Sequence, residues 1–172
     1  MKRIVIISII GLILSSSFIS ANTLIYPEKH NKNIKLELNP NGYINITALE
    51  AWELMNNTED GRQIPIDIRR WDEYISERIV TPNREDWPRW FPYEFTSGGP
   101  GPIKNEGILL QIFIRNYNNK EIIIYCRTGR RTGISAQILV ENGFTGTIYN
   151  MVNGITEWKA EGLPTVEGLK IW

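Results

Sequence analysis

Residues 121–143, EIIIYCRTGRRTGISAQILVENG, decide the fold class. An unbroken apolar run, EIIIYC, is what a strand looks like when helices cover both faces of its sheet. Thr132 to Asn142 then repeats apolar residues at helical spacing, with Ile134, Ala136, Ile138, Leu139 and Val140 in phase and Gly143 as the stop. Strand and helix are joined by only a few residues, Arg127 to Arg131, and Gly129 allows the chain to curl tightly between them.

The same alternation continues on both sides. GYINI (42–46) is a short strand, and Thr47 with Glu50 three residues later forms a capping box that opens a helix to about Asn56. RQIPIDIR (62–69) is a second strand ending in Asp67 and Arg69, and WDEYISERIV (71–80) reads as a short helix and a brief strand. Residues 81–102 carry Pro82, Pro88, Pro92, Pro100 and Pro102 and are expected to be a loop without regular structure. A helix follows over 106–116, then the strand at 121, then a last strand TIYN (147–150) and a short helix ITEWKAEG (155–162). Strands alternating with helices imply crossover connections and a mainly parallel sheet, so the fold class is α/β in a single domain.

The first 21 residues stand apart. Lys2 and Arg3 precede an apolar run over 4–14, then SSSFISA ending in Ala21, the pattern of a secretory signal peptide. The run is too short to span a bilayer, which takes about 20 residues, and no cysteine follows it for lipid attachment. Export to a periplasmic or extracellular space is the expectation. Lys2 and Arg3 are the segment's only charges, so the 19 basic and 19 acidic residues of the whole chain become 17 and 19 beyond it. That balance speaks against a nucleic-acid surface. Residues 22–41 are polar and asparagine-rich and read as an extended lead-in. His30, the only histidine, lies there with no second ligand nearby, so no metal site is expected.

Cys126 is the only cysteine. In an oxidising compartment cysteines are usually paired, and one without an intrachain partner is either buried and inert or kept for its chemistry. Its position favours chemistry, because ligands of open α/β sheets bind at the carboxyl ends of the strands. A tight loop running into a helix start aims several backbone N–H groups at one centre, where an anion, the thiolate included, is stabilised. Arg127, Arg130 and Arg131 add attraction for an anionic substrate, and Thr128 and Gly129 complete the loop.

CRTGRRTG (126–133) resembles the active-site loop of the single-domain rhodanese-like sulfurtransferases, which commonly reads Cys-Arg-x-Gly-x-Arg. IDIRRWDEY (66–74) is similar to that family's Asp-x-Arg strand and the acidic helix after it, and VNGITEWKAEGLPT (152–165) to its closing Gly-Gly-x-x-x-Trp-x-x-x-Gly-x-Pro signature. The likeness runs from about Gly42 to Thr165. It implies a rhodanese-like domain over 42–172, with a mainly parallel five-stranded sheet flanked by helices and an insertion at 81–102. It also implies no cofactor and a persulfide mechanism on Cys126. A small anionic sulfur donor such as thiosulfate gives up its outer sulfur, and a thiol or cyanide removes it. Arg127 and Arg131 are the candidates for the donor's sulfonate oxygens, Arg130 for the rim, and Asp67 and Arg69 for bracing the loop. The chain departs from the pattern at Glu77-Arg78-Ile79, where Gly-His-Ile is usual, at Asn153, which replaces the first glycine of the closing signature, and in the insertion. There Trp87, Trp90, Phe91, Tyr93 and Phe95 form either an apolar pad over a sheet edge or a lid or docking surface for a donor protein.

Two other classes compete. A non-catalytic module would use the shape to hold a partner, though such domains usually lose the cysteine. A cysteine phosphatase or arsenate reductase on a similar fold would need a wider anion cradle. Cys126 and Arg131 enclose four residues, where the related phosphatases enclose five, which favours an added sulfur over a tetrahedral phosphate.

Overall fold

The computed structural model describes residues 36, 38–57, 62–82, 88–95 and 103–168. The signal-peptide reading of 1–21, His30 with most of the lead-in, and residues 83–87 and 96–102 of the insertion lie outside the described residues. The elements in chain order are β1 (Ile44–Ile46), α1 (Ala48–Asn56), β2 (Ile64–Asp67), α2 (Trp71–Ser76), β3 (Arg78–Ile79), β4 (Arg89–Trp90) and β5 (Glu94–Phe95). They continue as β6 (Ile103–Lys104), α3 (Glu106–Tyr117), β7 (Glu121–Tyr125), α4 (Arg130–Glu141), β8 (Thr147–Met151), α5 (Gly154–Ala160) and β9 (Thr165–Val166).

Five strands form one sheet in the order β1-β8-β7-β2-β4, every neighbouring pair parallel. The period of two in β7 sorts its side chains between two cores. Ile123 and Tyr125 pack with Trp52, Met151 and Trp158 beneath α1 and α5. Ile122, Ile124 and Cys126 pack with Leu109, Phe113, Ala136 and Leu139 beneath α3 and α4. Trp52 and Trp158 meet edge to face with centroids 5.7 Å apart, locking α1 against α5. The capping box at α1 is formed as its sequence requires: Thr47 N–H donates to Glu50 Oε2 at 2.7 Å, and Glu50 N–H to Thr47 Oγ1 at 3.2 Å.

The insertion is not the structureless loop expected from its prolines. Arg89 and Trp90 form β4, which pairs in parallel with Ile66 and Asp67 of β2 and is the fifth strand of the sheet. Pro88 and Pro92 flank the pair, so β4 sits at the sheet edge, where a strand without further partners tolerates missing donors. Beyond it, β5 and β6 form an antiparallel pair, Glu94 opposite Lys104. Phe91 meets Phe113 of α3 with centroids 5.6 Å apart, and Trp90 meets Trp71 at 4.8 Å. β9, absent from the sequence reading, pairs antiparallel with β3. α4 begins two residues earlier than Thr132, because Gly129, at φ +86° and ψ −18°, already serves as its N-cap.

Candidate active site

β7 ends at Tyr125, and Cys126 follows at the carboxyl edge of the sheet, 1% exposed. The turn after it is fixed from behind by α5. Ile155 N–H donates to the Cys126 carbonyl at 2.9 Å, and Thr156 gives both its N–H, at 3.2 Å, and its hydroxyl, at 2.8 Å, to the Arg127 carbonyl. With those carbonyls tied back, the loop amides face the other way. Gly129 N–H points at Cys126 Sγ, 3.2 Å away. The amides of Arg127, Thr128, Arg130 and Arg131 have no acceptor among the described residues, which leaves donors for an incoming anion beside the positive end of the 12-residue helix α4. Thr132 Oγ1 donates to the Gly129 carbonyl at 2.8 Å and lies 4.0 Å from the sulfur.

This close approach of α5 explains where the closing signature needs glycine. A Cβ on Gly154, at φ +58°, would lie 2.2 Å from the Cys126 carbonyl oxygen. Asn153 has φ −106° and ψ 4°, backbone open to any residue, so its departure from the family pattern costs the turn nothing.

A cavity of about 280 Å³ opens over the sulfur. Cys126, Arg127, Thr128, Arg130 and Arg131 all line it, so these loop residues singled out in the sequence are brought together; Gly129 is not part of the lining and meets the site through its N–H to the sulfur. Arg70, Glu73 and Glu94 line it too. None of these three was singled out in the sequence. Arg131 is more constrained than the sequence suggested. Its Nη1 and Nη2 donate to Glu73 Oε2 and Oε1, both at 2.7 Å, and the two side chains are only 8% and 16% exposed. This fork-to-fork pair ties α4 to α2, whose Glu73 also accepts the Arg70 amide at 3.2 Å.

Asp67 and Arg69 stand outside the cavity, in a buried pair with Arg69 Nη2 2.6 Å from Asp67 Oδ2. The same Nη2 reaches the Glu77 carbonyl, closing the end of α2 against β2. They hold α2, and therefore Glu73, in place; the Asp-x-Arg spacing showed the pair but not what it supports.

Burial alone would push the Glu73 carboxyl up, yet its bonds to Arg131 outweigh that and hold it below the ordinary glutamate value. The folded chain therefore takes up this proton at lower pH than the unfolded chain. The pair's contribution is complete above the unfolded value of about 4.3 and is lost as the pH falls through the folded one. Glu73→Gln is expected to cost about 1–2 kcal/mol at pH 7, with the gap to the parent closing as the pH falls through the lowered Glu73 value. Urea denaturation at pH values stepped downward from the unfolded glutamate value checks it, and a gap that stays constant would contradict the assignment.

Comparisons with known proteins bear on the family and the fold of this chain. The model of the rhodanese-like domain family matches residues 50–161. The thiosulfate sulfurtransferase GlpE of Coxiella burnetii is 29% identical over 119 residues, 69% of this chain and 89% of that protein. Senescence-associated protein DIN1 of Raphanus sativus is 33% identical over 76 residues, 44% of this chain, and the match spans 40% of the radish protein's length. Among solved structures, that of Rv0390 from M. tuberculosis has a TM-score of 0.56 at 24% identity, covering 72% of this chain and 97% of its own, a likeness of fold.

Proposed function

The chain belongs to the rhodanese-like domain family, and from that premise we propose that it transfers sulfane sulfur through a persulfide on Cys126. Relatives named as sulfurtransferases support a transferase at the coarse level. The observation that carries the finer reading is the Gly129 N–H set 3.2 Å from Cys126 Sγ, in a loop whose other amides are unclaimed among the described residues.

The Cys126 thiolate attacks the outer sulfur of a donor such as thiosulfate. A new S–S bond forms, the donor's S–S bond breaks, and sulfite leaves with the bonding pair. The outer sulfur of Cys126 then carries the negative charge, and the loop amides stabilise it without having to reorganise. In the second step a thiol or cyanide attacks that sulfur, and the Cys126 thiolate is regenerated. Because Cys126 is almost fully covered, the reacting atom must come on a narrow tip. A terminal sulfur provides one. Arg127, exposed at the mouth and without a carboxylate partner among the described residues, is the arginine placed to receive the donor's anionic end. Arg131 contributes through its grip on Glu73 and its charge. Export, read from residues 1–21, is part of the same proposal.

Mass spectrometry of the purified protein after incubation with thiosulfate tests it. One added sulfur atom on the Cys126 peptide, removed again by cyanide, is the expected result. An unmodified peptide with every sulfur donor tried would reject the proposal.

A further inference from the structure

The cavity over Cys126 holds opposing charges: four arginines and two glutamates line it. Glu73 has both oxygens engaged by Arg131. Glu94 is different. Its Oε1 accepts from Arg130 Nη2 at 2.8 Å, and the two halves of that pair are unequal, the Glu94 side chain 7% exposed and the Arg130 side chain 61%.

The carboxylate belongs to a piece of backbone held on both sides by hydrogen bonds. Tyr93 N–H donates to the Ile68 carbonyl at 3.1 Å, Asn105 N–H donates to the Tyr93 carbonyl at 3.0 Å, and Glu94 is paired across to Lys104. Tyr93 itself is fully buried, with its hydroxyl donating to Glu106 Oε1 at 3.2 Å. The arginine, by contrast, is a long side chain mostly in solvent on the first residue of α4. A donor that draws on Arg130 must take it from Glu94, leaving a covered carboxylate facing the donor's own charge. That penalty grows with each negative charge the donor carries. One negative charge can be met by Arg127 and the loop amides alone.

We propose that Glu94 is a specificity-determining residue of this cavity: by holding Arg130 and placing a fixed negative charge beside the donor, it favours sulfur donors with one negative charge over dianionic ones. The inference rests on the sulfur-transfer reading above. Thiosulfate and the methanethiosulfonate anion separate it from that reading. Both present a terminal sulfur bonded to a sulfonyl sulfur. In both the Cys126 thiolate forms the new S–S bond while sulfite, or methanesulfinate, leaves with the electron pair. They differ by one charge, a methyl group standing in place of one oxyanion.

The experiment measures kcat/KM for both donors in the parent, Glu94→Gln and Arg130→Gln proteins. The ratio of thiosulfate to methanethiosulfonate efficiency is expected to rise about tenfold in Glu94→Gln, which removes the fixed charge and frees Arg130. In Arg130→Gln, which takes from Glu94 its hydrogen-bonded arginine and leaves only the more distant charges of Arg70 and Arg131 to offset it, the ratio is expected to fall by a similar factor. A folded Glu94→Gln protein whose ratio moves less than about twofold, or falls, overturns the proposal, as does a ratio that rises in Arg130→Gln. Should Glu94→Gln fail to fold, Arg130→Gln decides alone, since its side chain stands largely in solvent. A persulfide that forms with unchanged ratios defeats only this inference; no persulfide with either donor defeats the sulfur-transfer reading and this inference with it.

Discussion

Replacing Cys126 by serine is expected to reduce thiosulfate:cyanide sulfur transfer by at least about a thousandfold, to background, while the fold survives. The argument is chemical. A serine hydroxyl sits where the thiol sits and keeps the Gly129 amide and the Thr132 hydroxyl as neighbours. It is, however, a far weaker nucleophile and cannot hold a sulfur that a second thiol will remove. Placing an oxygen beside Ile124, Ala136 and Leu139 costs stability, but only about 1 kcal/mol, because the Gly129 amide gives the hydroxyl a hydrogen-bond donor. Circular dichroism should overlay the parent spectrum, and the tryptic peptide should show no added sulfur after exposure to thiosulfate. Parental transfer by the Cys126→Ser protein would remove Cys126 from the mechanism.

How much of this could be read from the sequence depended on the range of the interaction. The capping box of α1 lies within four residues and is read directly from Thr47 and Glu50. The strand EIIIY and the helix after it follow from side-chain periodicity, and their juncture at Cys126 follows from the shortness of the loop. β4 is another matter. Three residues between prolines carry no strand signal of their own, and Arg89–Trp90 becomes a strand only because β2 offers an open edge. The same limit hid the charges around the sulfur. Arg131 looked free because Glu73 is 58 positions away, and Glu94 lay inside an aromatic, proline-rich stretch whose backbone path its composition does not give. The residues that brace the site were legible as a pair, Asp67 and Arg69, since they are two positions apart; their reach to the Glu77 carbonyl was not.

The loop's glycine should be less replaceable than any of its arginines. A Cβ added to Gly129 would lie 1.5 Å from the Val152 carbonyl oxygen, a contact with backbone that no rotamer change can relieve. Val152 cannot easily retreat, since its N–H donates to the Ile46 carbonyl at 3.1 Å and anchors it to β1. Nor can the loop slide as a body, because Ile155 and Thr156 hold the carbonyls of Cys126 and Arg127. The remaining freedom is to rotate the Gly129 peptide, already at φ +86°, and that rotation takes its N–H off the sulfur. Gly129→Ala is therefore expected to cost about 2–4 kcal/mol of stability, the left-handed backbone of a non-glycine residue plus the displaced contact. Sulfur transfer should fall at least about a hundredfold, the order seen when one donor to a developing anion is lost. Asn153→Gly, one residue after Val152 but at φ −106°, should stay within about 1 kcal/mol of the parent, losing a 3.3 Å bond to Glu157 and some backbone restriction. Urea denaturation and the cyanide assay on both proteins separate the cases. If Gly129→Ala transfers sulfur at the parental rate, the amide aimed at Cys126 does not stabilise the persulfide, and the charge on the outer sulfur must be carried by the arginines instead.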